Sequence, residues 1–173
     1  MVTDHNQTAL QFAIQMEIDG KEYYLKISQK SRDEVGKALL QALAAAEDIH
    51  RQKFEAIFEV IRMKQAWPAT KLQPPAKGVK TIFAEELSQM KANIKSTATE
   101  LEAVKTAIDM ETKSYDYYKS QGKKAVYGAE RDFYEAVAAE EQEHHLVLLD
   151  YHEYLSDPAA WFVKTEHPSF DGG

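Results

Sequence analysis

The strongest constraint on the fold is an internal repeat of two different segments at one spacing. Residues 13–24 read Ala-Ile-x-Met-Glu and continue to a Tyr-Tyr pair, and residues 107–118 repeat this pattern 94 positions later. Residues 44–50 read Ala-Ala-x-Glu-x-x-His, and residues 138–144 repeat them at the same offset. Because both segments share one offset, a whole structural unit is duplicated. The fold should therefore have approximate twofold symmetry.

The spacing of apolar residues predicts an all-α protein. Long stretches rich in Ala, Leu, Glu, Lys and Gln have helical periodicity and are separated by a few Gly and Pro residues. Matches to the Ser/Thr-x-x-Glu/Gln capping box suggest three helix starts. These boxes are Thr8 with Gln11, Ser31 with Glu34, and Thr99 with Glu102. The predicted helices run from after Thr8 to about Lys30, from the second box to about Ala66, from Ile82 to about Lys95, from the third box to about Gly122, and from Lys124 to Leu155.

The order of these helices predicts one domain covering residues 1–173. Four long helices with two short connections and one long one are typical of a four-helix bundle with a single crossover. The repeat divides the bundle into two helical hairpins. We expect hairpin one at about 8–66, a crossover with the extra short helix at about 67–98, hairpin two at about 99–155, and a tail at 156–173 that folds back on the bundle.

Composition excludes several classes of protein. The formal net charge is -7 and basic residues are scattered among acidic ones, so no nucleic acid is expected as a partner. No apolar run reaches the roughly 20 residues of a membrane span, and the first residues do not resemble a signal peptide. We therefore expect a cytoplasmic protein without a membrane partner. Cysteine is absent, so any metal must be bound by oxygen and imidazole.

Acidic residues interrupt the apolar face of every long helix. Stepping three and four residues along each helix places one Glu near mid-helix among Leu, Ile, Val, Ala and Tyr, and a His follows one turn later on two helices. Glu17 and Glu47 lie about 13 residues on either side of the first turn, so they should lie side by side. The repeat implies the same for Glu111 and Glu141. The six converging residues are Glu17, Glu47, His50, Glu111, Glu141 and His144.

Four buried carboxylates would be unstable without compensating charge. Each ionised acid would lose hydration and repel the others, at several kcal/mol per charge. Two divalent cations would balance four negative charges, with the histidines as neutral ligands. The six residues are therefore the predicted metal ligands.

Some neighbouring acids and histidines are alternative candidates for the metal ligands. Within 140–145, Glu140 or His145 could also be selected, but the repeat selects Glu141 and His144. Glu140, Glu143 and His145 are then interpreted as solvent-facing residues or as groups that contact the ligands. His5, His152 and His167 lie outside any such pattern and are interpreted as surface residues.

The aromatic residues are interpreted mainly as packing residues. Tyr24 and Tyr118 lie two turns from a Glu on the same helix face, where core packing is favoured over a redox or hydrogen-bonding role. Trp67, Trp161 and Phe162 are interpreted as packing residues.

With these motifs the sequence resembles the rubrerythrin-like branch of the ferritin-like superfamily. That branch carries Glu, Glu-x-x-His, Glu and Glu-x-x-His on four successive long helices. The resemblance covers nearly the whole chain, including the tail from Asp157-Pro158 to Trp161-Phe162. It implies a ferritin-like bundle that binds two iron ions, with Glu47 and Glu141 as the bridging pair. It also implies that the protein reduces hydrogen peroxide or dioxygen and has a role in oxidative stress.

The sequence departs from the family pattern in two respects. Rubrerythrins proper carry a rubredoxin-like domain whose iron is bound by cysteine, and these 173 residues contain none. An external electron-transfer protein is therefore expected. Many rubrerythrins have a further Glu one turn after the third-helix ligand, where this chain has Ser114, matched by Gly20 in the first hairpin. The ligand exchange attributed to that extra carboxylate is not expected here.

Three functions compete at this stage. The first is a redox enzyme, a di-iron peroxidase or oxidase; manganese or zinc are alternatives to iron, although carboxylate-rich ligation favours iron or manganese. The second is a ferroxidase that stores or delivers iron. The third is a structural bundle without catalysis. A homodimer or higher homo-oligomer is expected in each case.

Overall fold

The computed structural model describes residues 2–64, 66–73, 75–89 and 97–166, and within them the chain is helical without a strand. The helices are α1 (Val2–Lys30), α2 (Glu34–Lys64), α3 (Val79–Ser88), α4 (Ala98–Lys124), α5 (Gly128–Ser156) and α6 (Pro158–Glu166). Helices α1 and α2 pack against each other as one hairpin, and α4 and α5 pack as a second hairpin. The fold is a ferritin-like helical bundle, as predicted. Among the described helices, none has an apolar stretch long enough to cross a membrane.

Three predicted helix starts were wrong, the first because α1 begins earlier, at Val2, and the other two because a different side chain is the cap. Thr8 lies inside α1, where its hydroxyl donates to the carbonyl of Asp4 at 3.0 Å, so it is not a cap. Asp33, rather than Ser31, caps α2 by accepting from the N–H of Val35 at 3.1 Å.

The cap of α4 lies two residues before the predicted one. Thr97 and Glu100 form the capping box, with reciprocal bonds of 3.2 and 2.9 Å, instead of Thr99 and Glu102.

The turn of the second hairpin also differs from the prediction. Gly122 does not end α4, which continues to Lys124. The chain then turns, and α5 begins at Gly128 rather than at Lys124. The carboxylate of Glu130 accepts from the N–H of Val126 at 3.2 Å, which fixes this turn at the start of α5.

Helices α3 and α6 pack against α5 at one end of the bundle. Helix α3 begins at Val79 instead of Ile82, and the predicted end near Lys95 lies outside the described residues, as does His167. Phe83 of α3 contacts Tyr151 with ring centroids 5.9 Å apart. In α6, Trp161 contacts Tyr154 at 5.7 Å and donates its Nε1–H to Asp150 at 2.9 Å. The described part of the tail, helix α6, thus folds back on the bundle.

Two apolar clusters occupy the interior, with a polar layer between them. One cluster includes Leu40 and Leu43 of α2 together with Leu148 of α5, and it extends under α3. The other includes Leu10 of α1 and Phe54 of α2. The mid-helix acids and histidines lie between these clusters along each helix. The bundle therefore holds its ionisable groups in one layer with apolar walls on both sides.

Candidate metal centre

All six residues that the sequence singled out lie in the polar layer and are almost completely buried. None has more than 3% of its surface exposed. Their side chains form two groups of four, and within each group one ligand atom per residue lies within 4.8 Å of the others. The first group is Glu17, Glu47, His50 and Glu141, and the second is Glu47, Glu111, Glu141 and His144.

Each group combines residues from both hairpins, and two residues belong to both groups. Glu47 from α2 and Glu141 from α5 are shared, whereas Glu17 and Glu111 each belong to one group. A carboxylate has two oxygens and can contact two cations at once. The geometry therefore places Glu47 and Glu141 where bridging ligands would lie.

Several ligand-type atoms in this layer are buried without hydrogen-bond partners. Seven such atoms belong to the six residues, including both carboxylate oxygens of Glu141 and the Nδ1 atoms of His50 and His144. In the rest of the described chain, only Asp33 and Trp67 have a buried side-chain atom in this state. Buried polar atoms normally have partners, so this concentration requires a reason. A cation bound between these atoms would be the common partner that each of them lacks. The donor set of carboxylates and imidazoles fits a di-iron site.

The imidazole nitrogens point at the carboxylates. His50 Nδ1 lies 3.1 Å from an oxygen of Glu141 and 3.4 Å from one of Glu17. His144 Nδ1 lies 3.2 Å from Glu47 and 3.6 Å from Glu111. None of these contacts has hydrogen-bond geometry. The two rings are nearly parallel, with centroids 5.9 Å apart.

The buried ionisable groups of this layer shift one another's pKa values. Burial and the neighbouring carboxylates raise the pKa of Glu47 well above its ordinary value and that of Glu141 to about 8. Burial alone would lower the pKa of each histidine, but the charges of Glu17 and Glu111 raise those of His50 and His144, respectively, well above the usual range. Burial would raise the pKa of Glu111, yet the adjacent His144 lowers it.

Two tyrosines connect the hairpins at this layer, which the packing interpretation missed. Tyr24 of α1 donates its hydroxyl to Glu111 of α4, and Tyr118 of α4 donates to Glu17 of α1. Burial and the acceptor carboxylates raise the pKa of both tyrosines well above the ordinary value, so they remain neutral donors. Their symmetric placement in the repeat was the signal available in the sequence. Each non-shared glutamate is thereby held by a tyrosine of the opposite hairpin.

Glu140 also contacts the polar layer. The sequence left open whether this residue faces solvent or contacts a predicted ligand, and this contact agrees with the second interpretation. Its Oε2 atom lies 2.7 Å from Nε2 of His50, and its side chain is about one-fifth exposed. Glu143 is exposed, and His145 contacts Thr112 at 3.2 Å on the outer face. His5 and His152 are not among the buried residues.

The residues one turn after Glu17 and Glu111 leave space rather than adding a ligand. Gly20 is buried, and a Cβ atom added there would lie 2.9 Å from Oε2 of Glu47. Ser114, its counterpart in the repeat, is half-buried. A larger residue at position 20 would therefore make the end of the Glu47 side chain shift.

This contact predicts that Gly20→Ala weakens metal binding. The new methyl group would displace the Glu47 carboxylate, and we expect the affinity for divalent metal to fall on the order of tenfold, as for other changes that misorient a ligand. The measurement is a competitive titration against a chelator of known affinity. Gly122→Ala is the matched control, because a Cβ atom there meets only ordinary contacts at 3.6 Å or more. Equal affinities in the two variants would contradict this account of Gly20.

The fold and this cluster define a class, the ferritin-like helical bundles with a buried carboxylate–histidine centre. A comparison with protein families agrees: the family model Rubrerythrin matches residues 8–152. The chain therefore belongs to the rubrerythrin family. Comparisons with curated proteins and with solved structures found no match.

Proposed function

We propose that this chain is a di-iron carboxylate redox protein that reduces hydrogen peroxide or dioxygen with electrons from an external donor. The observation that carries this proposal is the set of seven unpaired ligand-type atoms in six buried residues. We assign Glu17, Glu47, His50, Glu111, Glu141 and His144 as the metal ligands, with Glu47 and Glu141 bridging. Membership of the rubrerythrin family supports iron as the metal.

The ligand set suits a redox metal that must change its charge. Four carboxylates and two imidazoles favour iron or manganese over copper. A pair of ferrous ions held here would supply the two electrons that, with two protons, convert one hydrogen peroxide molecule into two water molecules. The apolar clusters on both sides of the layer keep bulk water away and strengthen the electrostatic interactions within it.

The protein residues would hold the reacting groups in place and manage protons. Tyr24 and Tyr118 hold the non-shared carboxylates through their hydroxyl groups, so these glutamates keep one orientation. Glu47 and Glu141 retain protons in the metal-free layer and would release them when cations bind.

The residues of the candidate centre do not include a donor that could reduce the iron again after each turnover. The 173 residues include no cysteine, so the sequence cannot form a rubredoxin-type iron site. Repeated turnover would need an electron donor other than these 173 residues. Because the chain belongs to the rubrerythrin family, we expect hydrogen peroxide to be preferred over dioxygen as the oxidant.

These properties predict one rapid turnover that is followed by a requirement for a donor. Protein loaded with ferrous iron under anaerobic conditions is mixed with peroxide or with dioxygen, and oxidation is followed by stopped-flow absorbance. We expect peroxide to oxidise the iron faster than dioxygen, with about one peroxide consumed per pair of ferrous ions. Further turnover should occur only when a reduced rubredoxin-type protein is added.

The variant controls separate the site from the surface. Glu143→Gln changes an exposed acid and should leave this oxidation unchanged, whereas Glu47→Gln with Glu141→Gln should abolish it. Oxidation of iron in large excess over two per chain, with retention as a mineral, would replace this proposal with iron storage.

A further inference from the structure

The two halves of the candidate centre differ in what lies behind their histidines. On one side, Nε2 of His50 in α2 lies 2.7 Å from a carboxylate oxygen of Glu140 in α5. The repeat relates His50 to His144, and it relates Glu140 to Ala46. The carboxylate behind the first histidine therefore has no counterpart at the repeat-related position, which is Ala46.

The contact with Glu140 determines how His50 can act as a ligand. When Nε2–H donates to Glu140, Nδ1 is the nitrogen left to face Glu17 and Glu141, at 3.4 and 3.1 Å. A carboxylate behind a ligating histidine orients the ring, selects the tautomer and makes the ligating nitrogen more basic. Because Glu140 reaches His50 from the opposite hairpin, it also connects α2 with α5.

His144 borders a pocket, and among the described residues it has no contact equivalent to that of His50 with Glu140. This pocket has a volume of about 340 Å³ and is bordered by Ala42, Ala46, Val79 and Ile82 as well as His144. Glu140 and Glu143 also border it, but the Glu140 carboxylate is turned to His50 and Glu143 is exposed. At the position that the repeat relates to Glu140, the pocket is bordered by Ala46, whose side chain cannot accept a hydrogen bond from His144.

We propose that Glu140 is a positioning residue that makes the two metal positions unequal. By orienting His50, it gives the position formed with Glu17 the higher affinity. The position formed with Glu111 and His144, which borders the pocket, binds its metal more weakly and exchanges it first. This inference rests on the proposed two-metal centre.

The test is a titration of the metal-free protein with cobalt(II), followed by visible absorbance and calorimetry. The wild-type protein should bind two ions in two distinguishable steps. Glu140→Ala should weaken the tighter step by about 10- to 100-fold and alter the cobalt spectrum of that step, leaving the weaker step in place. Glu140→Gln keeps an oxygen that can accept from His50 and should restore much of the affinity. Glu143→Ala, an adjacent exposed acid, should change neither step.

A second variant tests the same claim by adding the missing group. Ala46→Glu would place a carboxylate where the repeat predicts one, and the neighbouring pocket has room for the side chain. We expect the weaker step to tighten and the two affinities to converge. This variant removes no hydrogen bond of the native protein, so it remains informative if Glu140→Ala fails to fold.

The possible outcomes separate this inference from the proposed function. Binding of no cobalt by the wild-type protein would reject the metal centre itself. Two equal steps in the wild-type protein, or two steps that neither Glu140→Ala nor Ala46→Glu changes, would reject the role of Glu140 and leave the centre standing. Circular dichroism of each metal-free variant shows whether a lost step reflects the ligand or the fold.

Discussion

Loading the metal-free protein with ferrous or manganous ions should raise its melting temperature by about 10 °C or more. A ligand that binds only the folded state stabilises it by about 4 kcal/mol per site at a thousandfold excess over Kd. For a chain of this length, each kcal/mol corresponds to about 2 to 4 °C. The six proposed ligands are brought together only by folding, because they come from four different helices. Thermal melts with added metal and with a chelator measure the shift, and elemental analysis should give close to two metals per chain.

Two double variants serve as controls for this shift. Glu47→Gln with Glu141→Gln removes the shared carboxylates and should abolish the response to metal. Glu102→Gln with Glu143→Gln removes the same charge from exposed positions and should respond like the wild-type protein. A melting curve that is indifferent to both metal and chelator would favour a structural bundle without a metal centre.

The second large effect concerns the metal-free protein, whose stability should fall as pH rises from about 5 to 8. The pKa values of Glu47 and Glu141 are raised from an ordinary value of 4.5, that of Glu141 to about 8, and those of His50 and His144 are raised from 6.5. In this range the folded protein retains protons that the unfolded chain has lost. Stability decreases with pH wherever the folded state binds more protons. The pKa of Glu111 is lowered from 4.5, so this group changes the stability only below pH 4.5. It therefore does not oppose the trend between pH 5 and 8.

Replacing the two shared acids should remove much of this pH dependence. Glutamine resembles the protonated acid, so at pH 8 the metal-free Glu47→Gln, Glu141→Gln variant should be more stable than the metal-free wild-type protein by about 2 to 4 kcal/mol. The difference should shrink toward pH 5, where the wild-type acids are protonated in the folded state. Urea denaturation with chelator present, at one-unit pH steps, measures both slopes. A wild-type protein that is more stable at pH 8 than at pH 5 would show that the buried acids do not titrate in this way.

The bundle and the positions of its buried acids could be predicted because both follow from periodicity. An acid on an otherwise apolar helix face must point inward, and equal distances from a turn place two residues at one height. Glu17 and Glu47 meet this condition, and the repeat extends it to the other hairpin. These inferences need only the local geometry of a helix.

Features that depend on contacts between helices could not be predicted in the same way. The pattern Thr-x-x-Glu occurs at both Thr97 and Thr99, and only the packed helix shows which threonine is the cap. Glu140 lies beside a ligand in a run of acids, and its contact with His50 depends on how α2 and α5 face each other. The hydrogen bonds of Tyr24 and Tyr118 likewise cross between hairpins.

The crossed tyrosines bear on how such a protein could arise. In each hairpin a tyrosine hydroxyl donates a hydrogen bond to a carboxylate of the other hairpin. The two bonds are related by the same 94-residue offset as the sequence repeat. Two identical short chains, each a single hairpin, could exchange the same bonds across a dimer axis. A tandem gene duplication would then join two subunits without redesigning their interface. Copies joined in this way would be free to differ, as Ala46 and Glu140 do at repeat-related positions.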